Sequence, residues 1–314
     1  MYNKKLINQL TILLKYSDLQ GSDFKSRAYS NMIKLVESVK YDITPVTVNR
    51  FKEEYKGQIT QGMSKRIEEY IKSGSLSGLD EAEKYIMDSE FVIKIAGVGP
   101  KLAQKFVDAG YTNKRAIHLA VESGKLKLTR MQELGLKYYD DINSRIPRDE
   151  ISRIFSKLRK YIPKVSIITG SYRRGAADSG DIDILCRIDE LRMESIYESI
   201  VQMPEYVDTF SRGDERFTFL YRGPSGKVRQ IDVLLLRPEE YWTGILYFTG
   251  SADFNVAMRG YAKTIGYRLN QRSLCKLPNS APLHIESEKQ IFDILGLTYI
   301  DPEYRISANN IILV

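Results

Sequence analysis

Cysteine, histidine and long apolar runs are scarce in this 314-residue chain, and each scarcity excludes a class of protein. Its cysteines, Cys186 and Cys275, and its histidines, His118 and His284, fit neither a disulfide framework nor a zinc site. No stretch approaches the roughly 20 apolar residues that cross a bilayer, so no membrane partner is expected. The charged, amphipathic start, residues 1–14, is unlike a secretory signal, and we expect a protein of the nucleus, cytoplasm or virion that is not secreted. Any metal must be a hard ion held by oxygen.

Basic residues are in moderate excess, since 47 lysines and arginines accompany 40 aspartates and glutamates. The net charge of +7 and the pI near 9.1 permit binding to phosphate groups. Many basic proteins bind no nucleic acid, so the charge gains meaning only from where the basic residues lie.

Apolar spacing predicts helices as far as about residue 147 and short strands after it. The segment 23–39 places five apolar side chains on one stripe of a helix: Phe24, Ala28, Met32, Leu35 and Val39. Short β-branched segments predict strands at 165–169, 182–188, 210–221 and 227–236. A glycine-rich turn at 222–226 would join the last two strands as a hairpin.

Aspartates form the most informative pattern in the chain. Asp181 and Asp183 stand at i and i+2, a spacing that puts both carboxylates on one face of a strand. Asp232 lies inside the apolar run of a second predicted strand, where an unpaired carboxylate would be costly to bury. Together the three acids would suit Mg²⁺, which prefers oxygen ligands and substrate phosphates. The alternative is that Asp181 is a loop residue and that Asp232 pairs with an arginine.

A glycine-serine turn precedes these acids. Gly170 and Ser171 follow a predicted strand, and such a turn offers backbone N–H groups and a hydroxyl to phosphate oxygens. Arg174 can bind a phosphate through two N–H groups, and Gly180 allows a ligand to approach the backbone closely. A Gly-Ser turn followed at this spacing by Asp-x-Asp is typical of the nucleotidyltransferase superfamily.

Longer motifs resemble the X family of DNA polymerases, most closely its beta and lambda branches. These motifs are residues 170–175 with 179–183, residues 247–251 with Phe254, Asn255, Met258 and Arg259, and residues 286–297. The resemblance implies an α+β fold, with a helical, lyase-like N-terminal domain and helix-hairpin-helix motifs before a polymerase beta-like nucleotidyltransferase palm with fingers and thumb. It divides the chain into an 8 kDa-like DNA-binding domain (1–80), helix-hairpin-helix fingers (81–147), a catalytic palm (148–236) and a nucleotide-binding thumb (237–314).

The same resemblance assigns roles to single residues. The implied site consists of the metal ligands Asp181, Asp183 and Asp232; the phosphate contacts Ser171, Arg174 and Gly180; the nucleotide pocket Tyr247, Phe248, Gly250 and Asn255; and the template contact Arg259. Two Mg²⁺ ions would bind, with Mn²⁺ as a substitute, and Asp232 would accept the proton of the primer 3′-hydroxyl. Tyr247 and Phe248 would exclude a ribose 2′-hydroxyl by steric contact.

Residues 95–103 resemble a helix-hairpin-helix motif, which binds DNA without reading its sequence. Gly97 and Gly99 would expose N–H groups to a DNA phosphate, and Lys101 would add positive charge. In relatives, the backbone carbonyls that match Ile93, Ile95 and Val98 bind a monovalent cation, so the resemblance implies such an ion here.

The N-terminal region resembles a lyase domain whose nucleophile is missing. Lys25 and Tyr29 match residues that grip the 5′-phosphate of a gap. The position of the nucleophile, counted back from Gly74, holds Arg66, which stays protonated and cannot form a Schiff base. Lys65 is adjacent but would point about 100° away on a helix. We therefore expect 5′-phosphate binding with weak or no lyase activity.

Template-directed filling of short gaps, as in base-excision repair, is the expected activity, with gapped or nicked DNA and a dNTP as partners of a monomer. The alternative, a template-independent terminal transferase, would carry a histidine before the first acid and a longer loop between the palm strands. Here the residue is Gly180 and the loop at 222–227 is short. Ala252, Gln230 and Leu234 depart from charged residues of the family, which predicts altered efficiency or fidelity.

Overall fold

The computed structural model describes residues 2–188, 193–278, 281–307 and 310–311. The chain divides into two compact units, one ending at Gln132 and the other beginning at Glu133, and each is described by itself. None of the described helices is long and apolar enough to span a bilayer. The predicted mixture of helix and sheet is confirmed, while the division into four parts stays a prediction.

The first unit is helical, as its apolar spacing predicts. Its helices are α1 (Tyr2–Leu19), α2 (Asp23–Ser38), α3 (Val48–Glu54), α4 (Gln61–Ser73), α5 (Leu79–Ile93), α6 (Pro100–Asp108) and α7 (Lys114–Glu122). Leu6 and Leu10, one helical turn apart, are fully buried in its core. Helix α4 begins where the Thr60 hydroxyl accepts the Met63 N–H, and it ends at Gly74, whose φ of 72° suits glycine.

Helix α2 confirms the predicted helix, but its apolar stripe is not buried along its whole length, because Phe24 is 84% exposed. The buried face of α2 runs instead through Met32 and Val36, one turn apart. Apolar spacing fixes the angle of a side chain around the helix axis, but it does not say how far along the axis a neighbour covers the helix. Phe24 lies in the first turn of α2, beyond that covered face.

The second unit contains the sheets. Its helices are α8 (Arg130–Lys137, which contains the division), α9 (Tyr139–Ile142), α10 (Arg148–Leu158), α11 (Gly170–Arg173), α12 (Met193–Val201), α13 (Tyr241–Thr249), α14 (Ala252–Thr264) and α15 (Glu288–Ile294). Its strands are β1 (Ile146–Pro147), β2 (Ser166–Ile168), β3 (Asp178–Ser179), β4 (Ile182–Arg187), β5 (Tyr206–Arg212), β6 (Arg216–Arg222), β7 (Val228–Leu236), β8 (Tyr267–Leu269) and β9 (Leu274–Lys276).

A five-stranded sheet with the order β2-β4-β7-β6-β5 carries the aspartates. Strands β4 and β7 pair in parallel, with Asp183 opposite Asp232, and the other neighbours pair antiparallel. Ile182, Ile184 and Val233 point the other way and are at most 1% exposed, so one face of these strands is firmly packed. This packing fixes the register, since a slip of one residue would turn the carboxylates into the core.

The prediction of one continuous strand at 210–221 was wrong. The chain turns between β5 and β6, and the Gly213 N–H donates to the Arg216 carbonyl at 2.8 Å. Apolar residues on both sides of the turn made two strands look like one. The predicted hairpin turn at 222–226 joins β6 to β7, and in this pairing Thr218 lies opposite Asp232.

Candidate active site

Three carboxylates converge at the edge where β4 and β7 run side by side. Ligand atoms of Asp181, Asp183 and Asp232 all lie within 4.8 Å of one another, which confirms the predicted convergence. Asp181 is exposed just before β4, Asp183 is half-buried and Asp232 is 5% exposed. Such a group of oxygen donors could hold a metal ion.

Burial and the closeness of the three carboxylates raise the pKa of two of them. Burial, together with repulsion from Asp181 and Asp232, raises the pKa of Asp183 to about 7. Although Asp181 as a residue is exposed, desolvation by the surrounding atoms and the Asp232 carboxylate likewise raise the pKa of its carboxyl group. A cation placed among the oxygens would remove this penalty, so the donor set fits a hard divalent ion. The glycine at position 170 leaves room beside the cluster, because a Cβ at this residue would lie only 2.9 Å from Asp183 Oδ2.

Asp232 also has partners on its own sheet face. The Thr218 hydroxyl donates to Oδ1, and Gln230 Nε2 donates to Oδ2 at 3.2 Å. Arg216 Nη2 lies 3.2 Å from Oδ1. The alternative drawn from the sequence, an Asp232–arginine pair, is therefore present, and it coexists with the three-carboxylate cluster. Arg216 was missed because its approach depends on the pairing of β6 with β7.

The glycine-serine turn forms the short helix α11 beside the acids. The Ser171 hydroxyl donates to the Ser179 hydroxyl at 2.7 Å, which ties the turn to the segment before Asp181. Arg174 Nη1 donates to the Thr249 carbonyl at 2.6 Å, so this guanidinium lies against the start of the second motif. Gly180 is exposed, with Arg145 Nη1 3.5 Å from where its Cβ would be.

A buried charge network, which the sequence did not predict, supports the same region. Glu288 accepts from Arg173 on one side and from Arg305 Nη1 at 2.6 Å on the other. Arg173 Nη1 also donates to the Thr249 hydroxyl at 2.6 Å. The Ser251 N–H donates to the Arg305 carbonyl at 2.9 Å. The network thus clamps residues 249–251 between α11 and the chain near Arg305, and only long-range contacts reveal it.

The predicted nucleotide pocket lies where α13 ends and α14 begins. Asn255 Nδ2 donates to the Tyr247 carbonyl at 2.7 Å, and the Tyr247 and Phe248 rings meet edge to face at 5.1 Å. Tyr247, Asn255 and Arg259 line one small cavity, while Phe248 lines another with Asp183 and Asp232. Gly250 has a φ of 69°, and a Cβ there would lie 3.2 Å from Arg174 Nη1.

Helices α5 and α6 and the turn between them form the predicted helix-hairpin-helix. Gly97 has a φ of 77° and is exposed, as are Gly99 and Lys101. Gly99 is the N-cap of α6, with Pro100 at its first position. The three residues whose backbone carbonyls are predicted to bind a monovalent cation differ in burial. Ile95 and Val98 are buried, and Ile93 is 36% exposed.

A cavity of about 680 Å³ in the first unit lies between α2 and α4. Lys25, Tyr29 and Arg66 line it, whereas the exposed Lys65 is not among its lining residues. Arg66 Nη2 donates to the Tyr29 hydroxyl at 3.2 Å, and Nη1 lies 3.0 Å from Glu69. Burial opposes the charge on Arg66, yet Glu69 and Tyr29 raise its pKa above the ordinary value. The guanidinium therefore stays charged.

Known protein families match most of the second unit and part of the first. The matching models are the fingers domain of DNA polymerase lambda (residues 91–143), the DNA polymerase beta palm (145–238) and the DNA polymerase beta thumb (244–306).

Curated relatives align with nearly the whole chain. DNA polymerase lambda of Rattus norvegicus is 28% identical over 97% of this chain and 56% of its own length. DNA polymerase lambda of Arabidopsis thaliana is 29% identical, over 91% and 58%. DNA nucleotidylexotransferase of Xenopus laevis is 24% identical, over 96% and 68%. The chain therefore spans little more than half the length of the two lambda polymerases.

The family models follow one another along residues 91–306 in the order fingers, palm, thumb, and the carboxylate cluster lies inside the palm match. The predicted resemblance and the predicted fold class are thereby confirmed. This chain belongs to the X family of DNA polymerases.

Proposed function

We propose that this protein is a DNA-directed DNA polymerase that fills short gaps during DNA repair. It transfers a nucleotide from a dNTP to the primer 3′-hydroxyl and releases pyrophosphate. The convergence of Asp181, Asp183 and Asp232 within 4.8 Å carries this proposal, because phosphoryl transfer relies on positioning and on neutralising charge.

Magnesium is the metal that this donor set fits best, with Mn²⁺ as a substitute. The three aspartates offer oxygen ligands, and no sulfur or histidine ligand lies among them. A bound pair of such ions supplies Lewis-acid activation of the hydroxyl and neutralises the leaving pyrophosphate. Asp232 accepts the proton of the primer 3′-hydroxyl, and its bonds from Thr218 and Gln230 hold it in place.

The nucleotide lies between α11 and α14. Ser171, Arg174 and Gly180 bind its β and γ phosphates through a hydroxyl, a guanidinium and a bare backbone. Tyr247 and Phe248 form the wall beside the sugar, and Asn255 contacts the base. The hydrogen bond from Asn255 to the Tyr247 carbonyl holds that wall in place, so a ribose 2′-hydroxyl would clash with it.

DNA is held mainly through its phosphates. The exposed Gly97, Gly99 and Lys101 bind a phosphate at the start of α6, and a monovalent cation bound by the carbonyls of Ile93, Ile95 and Val98 adds to this contact.

The template strand lies against α14. Arg259 lines a groove of about 470 Å³ together with Lys263 and Arg268, and this positive charge suits the template strand.

The first unit receives the 5′-phosphate at the far side of a gap. Lys25, Tyr29 and Arg66 line its cavity and supply two positive charges and a hydroxyl. Because Arg66 cannot form a Schiff base and Lys65 lies outside the cavity lining, lyase activity is weak or absent. The protein acts as a monomer on gapped or nicked DNA.

A template-independent terminal transferase is the second candidate, favoured by the similarity to the Xenopus laevis nucleotidylexotransferase. Primer extension separates the two: we expect insertion of the complementary nucleotide on a one-nucleotide gap and little addition to a single strand. Faster filling when the gap carries a 5′-phosphate is also expected. Equal addition with and without a template would favour the transferase.

A further inference from the structure

Asp232 is engaged at both carboxylate oxygens by side chains of the sheet. Thr218 and Arg216 lie at Oδ1, and Gln230 lies at Oδ2. The carboxylate is only 7% exposed, so these contacts determine its orientation. A divalent ion that needs Oδ1 must therefore share it with a hydroxyl and with a positive charge.

The position of Arg216 follows from strand geometry. The register of β6 and β7 puts Thr218 opposite Asp232 and Arg216 opposite Leu234. Alternate residues of a strand share a face, so Arg216, Thr218 and Asp232 lie on the same side of the sheet. The Leu235 N–H donates to the Glu215 carbonyl at 2.8 Å, which holds the backbone at the start of β6 against β7.

Arg216 is much more exposed to solvent than Thr218 and Asp232, which lie beside it. Its side chain is 61% exposed, whereas Thr218 is 6% exposed. Because most of the Arg216 side chain is in solvent, the guanidinium can move away from Asp232 without leaving a cavity. Arg216 also lines the small cavity that holds Asp183, Asp232 and Phe248, where it is the cation among the described lining residues.

We propose that Arg216 is a positioning residue that orients Asp232 in the metal-free protein and competes with a divalent cation for Oδ1. The inference rests on the proposed function, since it assumes that the three aspartates bind metal. Arg216 keeps the affinity of the isolated protein for metal low. Productive binding then depends on the negative charge that a nucleotide brings to the site.

Direct Mn²⁺ titration of the full chain, without DNA or nucleotide, tests this by the electron paramagnetic resonance signal of free Mn²⁺. We expect Arg216→Gln to bind Mn²⁺ about tenfold more tightly than wild type, because a unit charge beside the ligand is removed. Arg216→Lys keeps the charge and should stay within about twofold of wild type. Arg212→Gln is the matched control, because Arg212 lies on β5 and pairs with Glu194.

Unchanged or weaker Mn²⁺ binding by Arg216→Gln would overturn the competition, as would equal tightening by Arg212→Gln. Asp232→Asn provides a second check: with the contested carboxylate gone, adding Arg216→Gln should leave the remaining Mn²⁺ affinity unchanged, and a tenfold gain there would overturn the proposal. Gap filling by wild type tests the proposed function separately. Active gap filling with unchanged Mn²⁺ affinity in Arg216→Gln removes only the role of Arg216.

Discussion

Two polar sites of this chain, the carboxylate cluster of the second unit and the cationic cavity of the first, differ in how they are built. The cluster lies on two hydrogen-bonded strands whose opposite face is packed, so its charges are forced together. The cavity lies between two helices, and Arg66 is held there by side-chain contacts to Tyr29 and Glu69. Repulsion among the carboxylates favours the binding of a cation, whereas a permanently charged guanidinium can bind an anion but cannot form a Schiff base.

Removing one carboxylate should give the largest effect. We expect Asp183→Asn to slow gap filling by at least about 10³-fold, because the metal-binding charge is lost from the transition state. DNA affinity should stay within about twofold, since phosphate contacts elsewhere are unchanged. Asp214→Asn, in the exposed turn between β5 and β6, is the matched control and should be fully active. Gap filling by Asp183→Asn at the wild-type rate would refute the role of the cluster.

Two ion-pair networks, one buried and one partly exposed, should contribute differently to the free energy of unfolding. Glu288→Gln leaves two arginines poorly compensated, one of them completely buried, and should lower the free energy of unfolding by about 3 kcal/mol. Glu69→Gln removes a partner of Arg66 at a site that is 31% exposed and should cost less than about 1 kcal/mol. Urea denaturation measures both, and equal losses would contradict this ranking.

The repulsion among the aspartates predicts a pH dependence for the metal-free protein. The pKa of Asp183 is raised to about 7, so the folded state holds this proton while the unfolded state loses it. The free energy of unfolding should therefore fall as the pH rises from about 4 to about 7. Trp242, the single tryptophan, reports on the second unit in urea titrations with EDTA. Asp183→Asn should flatten this pH dependence.

Mg²⁺ binding should counteract this destabilisation. At a Mg²⁺ concentration 100 times its Kd, mass action should raise the free energy of unfolding by about 2.7 kcal/mol. A stability of the second unit that is indifferent to both pH and Mg²⁺ would contradict the enforced repulsion.

In the cationic cavity of the first unit, a substitution should increase an activity rather than reduce it. Arg66→Lys places an amine where the guanidinium lies, and we expect about tenfold more borohydride-trapped adduct on abasic DNA than with wild type. Lys65→Ala should leave the adduct unchanged. A strong wild-type adduct that persists in both Lys65→Ala and Arg66→Ala would show that another lysine acts as the nucleophile.

Lys101→Ala should have the smallest effect. A lost phosphate contact should weaken binding about threefold on any sequence and lower the salt dependence by about one counterion. Fluorescence anisotropy on gapped DNA at several salt concentrations measures both quantities. Sequence-dependent weakening would contradict a contact to the phosphate backbone.

Local patterns in the sequence were sufficient where function and local structure coincide. The i, i+2 spacing of Asp181 and Asp183 and the apolar run around Asp232 predicted the strands and the convergence. Features that depend on distant partners were missed, such as the Glu288–Arg305 pair and the approach of Arg216 to Asp232. The exposure of Phe24 and the turn at Gly213 were missed for a related reason, since periodicity says nothing about where a neighbouring element ends.

Anomalous diffraction from crystals of the protein with Mn²⁺, gapped DNA and a non-hydrolysable dNTP would test the shared-metal claim most directly. The account predicts Mn²⁺ peaks about 2.0–2.2 Å from oxygens of Asp181, Asp183 and Asp232, the distance typical of small octahedral cations. Peaks at the nucleotide phosphates without contact to these aspartates would contradict it.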